Sequence, residues 1–361
     1  MSTIEYLWTQ IRNELNNNTD KKSIALLYAF NGTWKTRLSV DFNSLNETEE
    51  NKIKVLSYNA FLEDLFVWDN ENYILEFKSH WVIDFIKKQD LEKSIKNIFT
   101  NITNSKIEPK FDYENENVTF SIVSWWDGDT INIKVSKSEE SILIWSIFYS
   151  ILETAIEALN TEEVENRITD EFNYLEYIVI DDPVSSIDDS RIIEIAVNLF
   201  RIINSSKNKQ LNFLITTHHA LFYNVLFNSL RRISKSEAKR FFYILSRNID
   251  NTLNLVGQDD DTPFAYHLLV KGKIQEAIAS NGIEKYHFNL LRSLLEKTAN
   301  FLGKNDFSDC ILWDKKEQFV RVINVYSHGK ISELDPSIIS NEDKELFIGT
   351  YNDFIWNFNF N

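Results

Sequence analysis

Cysteine is almost absent: the chain of 361 residues has 1, Cys310, beside 1 methionine, 4 prolines and 8 glycines. A single thiol excludes an intramolecular disulfide framework and a zinc site built from several thiolates. Long apolar runs are also scarce. No stretch reads as the roughly 18 uncharged apolar residues of a membrane span, and the start, MSTIEYLWTQIRNEL, has no basic segment followed by an apolar one. The expectation is a cytoplasmic protein with no membrane partner. Basic residues are outnumbered, 38 against 54, for a net charge of −16. Diffuse adhesion to nucleic acid or anionic lipid is therefore disfavoured, and nucleic-acid contact needs a local basic patch. RRISKSEAKR, residues 231–240, is one candidate, although such a run is more often a solvated helix face.

What is present suits a packed core. Hydrophobic residues make up 43% and aromatic residues 14% of the chain, far from a disordered composition, and the length suits two or three lobes. IEYLWTQIRNEL (4–15) has helical periodicity. SIALLYAF (23–30), LEYIVIDDP (175–183) and QLNFLITTHH (210–219) are apolar runs suited to buried strands. TRLSVDFNSL, 79–99, 138–159 and SRIIEIAVNLFRIIN are predicted helices, 55–77 mixes strand and turn, 109–135 alternates like strands around DGD, and 240–258 resembles a hairpin around NIDN. Strands alternating with helices predict an α/β core with a mostly parallel sheet over 1–260, interrupted by a helical and β insertion at about 79–134. Beyond a boundary near 258–263, residues 261–361 read as an α-helical C-terminal domain.

Residues 28–36, YAFNGTWKT, place Lys35 and Thr36 as a phosphate loop GxxxxGK[ST] requires, between a predicted strand and a predicted helix. There the backbone of Asn31, Gly32, Thr33 and Trp34 would wrap phosphates, Lys35 would reach the β/γ-phosphates and Thr36 would hold Mg²⁺. Ala29 and Trp34 occupy the two glycine positions, and only the inner Gly32 remains. YIVIDDP delivers carboxylates to a strand tip: Asp181 for the metal, directly or through water, and Asp182 to polarise an attacking water. Strand tips also carry ordinary solvated acids. His218, at the end of the next apolar strand, stands where a γ-phosphate sensor would sit, and a turn histidine is the bland alternative. In VSKSEES, Ser136 opens a helix whose N-terminal N–H groups suit a phosphate; Ser136 and Glu139 equally satisfy a plain S-x-x-E capping box.

Taken in order, YAFNGTWKT, VSKSEES, YIVIDDP, VSSIDD and TTHH resemble the phosphate loop, signature, Walker B, D-loop and switch histidine of the ABC/SMC-like P-loop ATPases of bacterial anti-phage defence, the AAA-family group that includes PrrC/RloC-type anticodon nucleases. The resemblance runs through residues 20–260 and more loosely through the C-terminal helices. It implies ATP and Mg²⁺ as cofactors, with Lys35, Asp182 and His218 as catalytic groups and Ser186 and Asp188 in the D-loop. It implies a homo-oligomer, a dimer or dimer of dimers, in which each composite site takes its loop and strand-tip residues from one copy and Ser136 from another. An effector nuclease, another defence protein or tRNA would be the partner. SMC-type members carry long coiled coils; only residues 79–105 are available here, so any arm is short. Family members usually read GTGKT or ATGKT where this chain has GTWKT, and an indole there would crowd the β-phosphate, which implies slow or absent turnover.

Arg292 and Glu296 form an i,i+4 pair on one helical face, with His328 downstream in VYSHGK. This resembles the arrangement in the anticodon nucleases and implies a metal-independent ribonuclease site; the bland alternative is an ion pair plus a loop histidine. His80, His267 and His287 have no metal-ligand spacing. The first expectation is an ATPase acting as the sensor and control module of a defence system. The alternatives are an ATP-gated ribonuclease and a nucleotide-binding scaffold without turnover.

Overall fold

Lys22–Ala29, KSIALLYA, form strand β1, and all of these residues are buried. A strand covered on both faces has no polar side to show, so its sequence is a continuous apolar run rather than an alternation. The same holds for β8 (Tyr177–Asp181) and β9 (Asn212–Thr217). The computed structural model describes residues 3–17, 20–29, 42, 44, 52–58, 65–78, 80–122, 130–185, 187–247, 253–258, 266–327 and 339–358. They fall into two compact units, Met1–Phe264 and Ala265–Asn361.

With β2 (Val55–Tyr58), β10 (Ala238–Arg247) and β11 (Leu253–Gly257), the first unit builds a sheet in the order β11-β10-β1-β9-β8-β2 among the described residues. All neighbours pair in parallel except β10 and β11, which form the expected antiparallel hairpin. Helix α1 (Thr3–Asn16) covers one face, burying Leu7, Trp8, Ile11 and Leu15 against Ala25, Leu27, Val179 and Leu214. Two tyrosine hydroxyls fasten it, Tyr177 to Asn16 and Tyr243 to Glu14. On the other face, Tyr58 meets Trp145 and Phe148 of α4 (Lys137–Asn160), and Tyr28 meets Tyr223 of α6 (Ala220–Leu230). Helix α5 (Asp189–Ser205) packs beside α6.

Three expectations need correction. Helix α4 is long and apolar enough to cross a membrane, although the sequence reading found no such stretch, and 89% of its apolar window is buried inside the protein. A helix apolar all round is what a position between other layers requires. The predicted helix over 79–99 is two helices, α2 (Trp81–Lys88) and α3 (Glu92–Thr103), broken where Asp90 takes a φ of 51°. Residues 231–237 form turns rather than a helix face, and Arg240 Nη1 is spent on the carbonyls of Leu230 (3.1 Å) and Arg231 (2.7 Å) at the end of α6. Helix α6 is apolar without a clear helical stripe, burying Phe222, Tyr223, Leu226, Phe227 and Leu230. A second, antiparallel sheet begins before the expected insertion at 79: β3 (Phe66–Asp69), β4 (Ile74–Phe77), β6 (Asn117–Ile122) and β5 (Ile107–Asp112) pair in that order and β7 (Thr130–Ile131) joins β6. The helix predicted from TRLSVDFNSL, apart from Phe42 and Ser44, and the DGD and NIDN turns lie outside the described residues.

In the second unit, helices α7 (Tyr266–Ala279), α8 (Lys285–Phe301), α9 (Lys316–Ser327) and α10 (Asn341–Asn357) surround a core containing Phe288, Leu291, Leu295, Phe319, Ile323, Phe347 and Tyr351. Phe288 is its centre, 4.7 Å from the Tyr326 ring and 4.8 Å from that of Phe347.

Two stability predictions follow from buried polar groups. Lys22 is buried and donates to the carbonyls of Ile203 (2.8 Å), Asn204 (3.3 Å) and Ser206 (2.6 Å), satisfying the end of α5. Lys22→Met keeps the stem and removes these donors, and is expected to cost about 1–3 kcal/mol, read as a lower urea midpoint at unchanged m value. His287 is buried and its Nδ1 accepts the Glu284 N–H at 2.9 Å, while burial lowers its pKa from 6.5 to about 4. The unfolded imidazole takes a proton that the folded one refuses, so this contribution to stability is complete above pH 6.5 and declines as pH falls toward 4. His287→Asn keeps an acceptor and should flatten the decline in that window, measured by denaturant unfolding at several pH values.

Candidate functional site

Because β9 lies between β1 and β8, the C-terminal tips of three parallel strands end side by side. Tyr28 is level with Thr217, and Asp181 with Thr216. In an open parallel sheet this edge is where ligands bind. Asp181 is only 7% exposed and accepts the hydroxyl of the buried Thr216 on its Oδ1. A carboxylate so placed needs hydrogen bonds or a cation.

Asp182 follows at a φ of 54°, in the left-handed region that Asp enters more readily than most residues. That reversal sends two adjacent carboxylates to different partners. Asp182 Oδ2 pairs with His218 Nδ1, and Oδ1 accepts from the Thr217 hydroxyl and the His218 N–H, both at 3.3 Å. The backbone closes the group through Asp182 N–H donating to the Thr216 carbonyl at 2.9 Å. Asp181, Asp182 and His218 are thus brought together at the tips of β8 and β9. An oxygen donor buried at a strand tip fits a divalent cation; Mg²⁺ bound with a nucleotide would supply charge neutralisation on the phosphates. Asp181 and Thr36 would hold it and Lys35 would meet the phosphates, the last two lying outside the described residues.

Asp188 is the N-cap of α5, accepting the Arg191 N–H at 3.2 Å, and its hydrogen bond from Ser190 lowers its pKa below the ordinary carboxylate range. His219 Nε2 lies 3.7 Å from Asp189 Oδ1, joining the start of α5 to the end of β9. Ser136 caps α4 with both hydrogen bonds of a capping box with Glu139, the arrangement its S-x-x-E spacing also allowed. Arg191 Nη1 donates to Ser138 Oγ at 3.2 Å, so the start of α5 and the helix opening at Ser136 are linked within one chain.

In the second unit, Arg292 Nε donates to Glu296 Oε1 at 2.7 Å, and its Nη1 to Asn324 Oδ1 at 3.1 Å. The guanidinium carbon stands 5.0 Å over the Phe307 ring. Asn31, Gly32, Thr33, Trp34, Lys35, Thr36, Ser186 and His328 lie outside the described residues. Sequence reasoning missed Thr216, Thr217, Arg191 and Asn324. The threonines were in plain view in TTHH, and Asn324 stands four residues before His328 in NVYSH.

Residues 86–348 match an AAA domain family. The Escherichia coli anticodon nuclease is 39% identical over 357 residues, 92% of this chain and 88% of that protein. Among solved structures, the SMC head domain from Thermotoga maritima has a TM-score of 0.30 at 9% identity, covering 67% of this chain and 92% of that one. CbiO1 from Clostridium perfringens, part of an ABC transporter complex, also gives 0.30 at 9%, covering 71% and 82%. Structural likeness at that level is too slight to argue from. The chain belongs to the AAA-domain family, and within it to the family of the E. coli anticodon nuclease.

Thr216→Val keeps a β-branched strand residue and deletes the hydroxyl on Asp181. The fold should survive, and Mg²⁺-dependent ATP affinity should weaken about tenfold, as one charge-assisted hydrogen bond is lost; titration of a fluorescent ATP analogue with and without Mg²⁺ measures it.

Proposed function

We propose that this protein is an ATP-gated, metal-independent ribonuclease that cuts tRNA in the anticodon loop, acting in the cytoplasm as the effector of an anti-phage defence system. One observation carries the reading: 39% identity to an anticodon nuclease runs through both units, and in the second unit Arg292 and Glu296 are already paired. Single-stranded loops are where a protein reaches a splayed 2′-hydroxyl. His328 and Glu296 exchange protons there: one takes the 2′-OH proton as that oxygen attacks phosphorus, and the other protonates the departing 5′-oxygen. The products are a 2′,3′-cyclic phosphate and a free 5′-hydroxyl. Arg292 stabilises the charge gathered on the phosphate.

The strand-tip site of the first unit is the control element. ATP with Mg²⁺ binds two copies together, each site using Lys35, Thr36, Asp181, Asp182 and His218 of one copy and Ser136 of the other. Asp182 polarises the attacking water and His218 senses the γ-phosphate. In the present arrangement Asp182 holds the Nδ1 side of the His218 ring, which leaves Nε2 as the atom to meet the γ-phosphate. A second reading keeps one observation in its favour: Trp34 in the glycine position suits a chain that holds ATP without turning it over.

With purified full-length protein, bulk bacterial tRNA and MgATP, electrophoresis should show cleavage that His328→Ala or Arg292→Ala reduces at least about 100-fold while nucleotide binding persists. Asp182→Asn should slow hydrolysis and leave cleavage in place. Intact tRNA under these conditions sinks the ribonuclease. Protein that binds no ATP, with Trp34→Gly equally inert, sinks the gating.

A further inference from the structure

We propose that Asn324 is a positioning residue that fixes the plane of the Arg292 guanidinium at the ribonuclease site. The inference rests on the ribonuclease reading above and assigns a role to a residue outside the Arg292, Glu296 and His328 set. An arginine side chain turns about several bonds, and its value to a phosphate depends on presenting two parallel N–H bonds in a set direction. Contacts on several sides orient this one. Glu296, on the same helix, accepts from Nε at 2.7 Å. The Phe307 ring supports one flat face at 5.0 Å. Asn324 reaches across from α9 and takes Nη1 at 3.1 Å, which fixes the rotation the other two leave free.

The amide suits this task for a chemical reason. Glu296 carries a proton in part of the catalytic cycle and accepts more weakly while it does, whereas the Asn324 oxygen does not titrate and holds Arg292 throughout. The contact also ties the last turn of α9, which ends at Ser327, to α8.

The experiment uses full-length protein, MgATP and bulk bacterial tRNA, with steady-state rates and thermal unfolding for each variant. Asn324→Leu keeps the branched shape and removes the acceptor; kcat should fall about tenfold with KM within about twofold, the pattern of an interaction that matters in the transition state. Asn324→Asp restores an acceptor at the same reach and should recover to within about threefold of wild type. In an Arg292→Lys background, which lacks the guanidinium plane, Asn324→Leu should cost less than about twofold, because residues acting through one another are not additive. Wild-type cleavage matched by Asn324→Leu overturns the inference and leaves the ribonuclease standing. A full tenfold loss in the Arg292→Lys background overturns it as well, since Asn324 would then act independently. No cleavage by the wild type removes both.

Discussion

The parallel register of β1, β9 and β8 is the constraint on which the rest of the first unit depends. Side chains in a strand alternate with a period of two, so a slip of one residue would exchange every inward and outward position. With Asp181 opposite Thr216 and Tyr28 opposite Thr217, the tips end level and the polar residues that break each apolar run meet there. Central strands buried on both faces make the register hard to change, since Ile178, Val179, Leu214 and Ile215 all lose contact in any other pairing. The site is therefore a product of core packing and not of a loop folded for its own sake.

Within that frame, two neighbouring acids are separated by backbone conformation. Had Asp182 continued as strand, its side chain would have pointed to the opposite face of the sheet from Asp181. The left-handed turn keeps both on the ligand edge but aims them apart, Asp181 at Thr216 and Asp182 at His218. Non-glycine residues in this region carry a modest cost and persist where surrounding contacts over-determine them. Here the Asp182 N–H to Thr216 carbonyl bond and the hydroxyl of Thr217 do so.

The second unit has its own aromatic core around Phe288, and Arg292 and Glu296 sit on the helix that core anchors. A single-turn ion pair on an exposed helix contributes little to stability. Its contact with Asn324 from another helix and its seat over Phe307 are what a stability role would not need, and they fit a guanidinium held ready for an anion.

Much of this was legible in the residues. Buried strands announced themselves as SIALLYAF, YIVID and NFLITT, the C-terminal helices by their periodicity, and Asp181, Asp182, His218, Arg292 and Glu296 by the motif spacing around them. Hydrophobic pattern and motif order are local properties, and a chain read from end to end displays them. Position 34 departs from glycine in the sequence itself, where its steric meaning is plain. What tertiary structure alone decided was partnership: that β9 separates β1 from β8, that α4 is buried between other layers, that Arg240 closes the end of a helix, that Thr216 meets Asp181 across 35 residues and Asn324 meets Arg292 across 32. Such pairs have no signature in spacing, because they are set by which surfaces bury together, and burial is a property of the whole fold rather than of any segment.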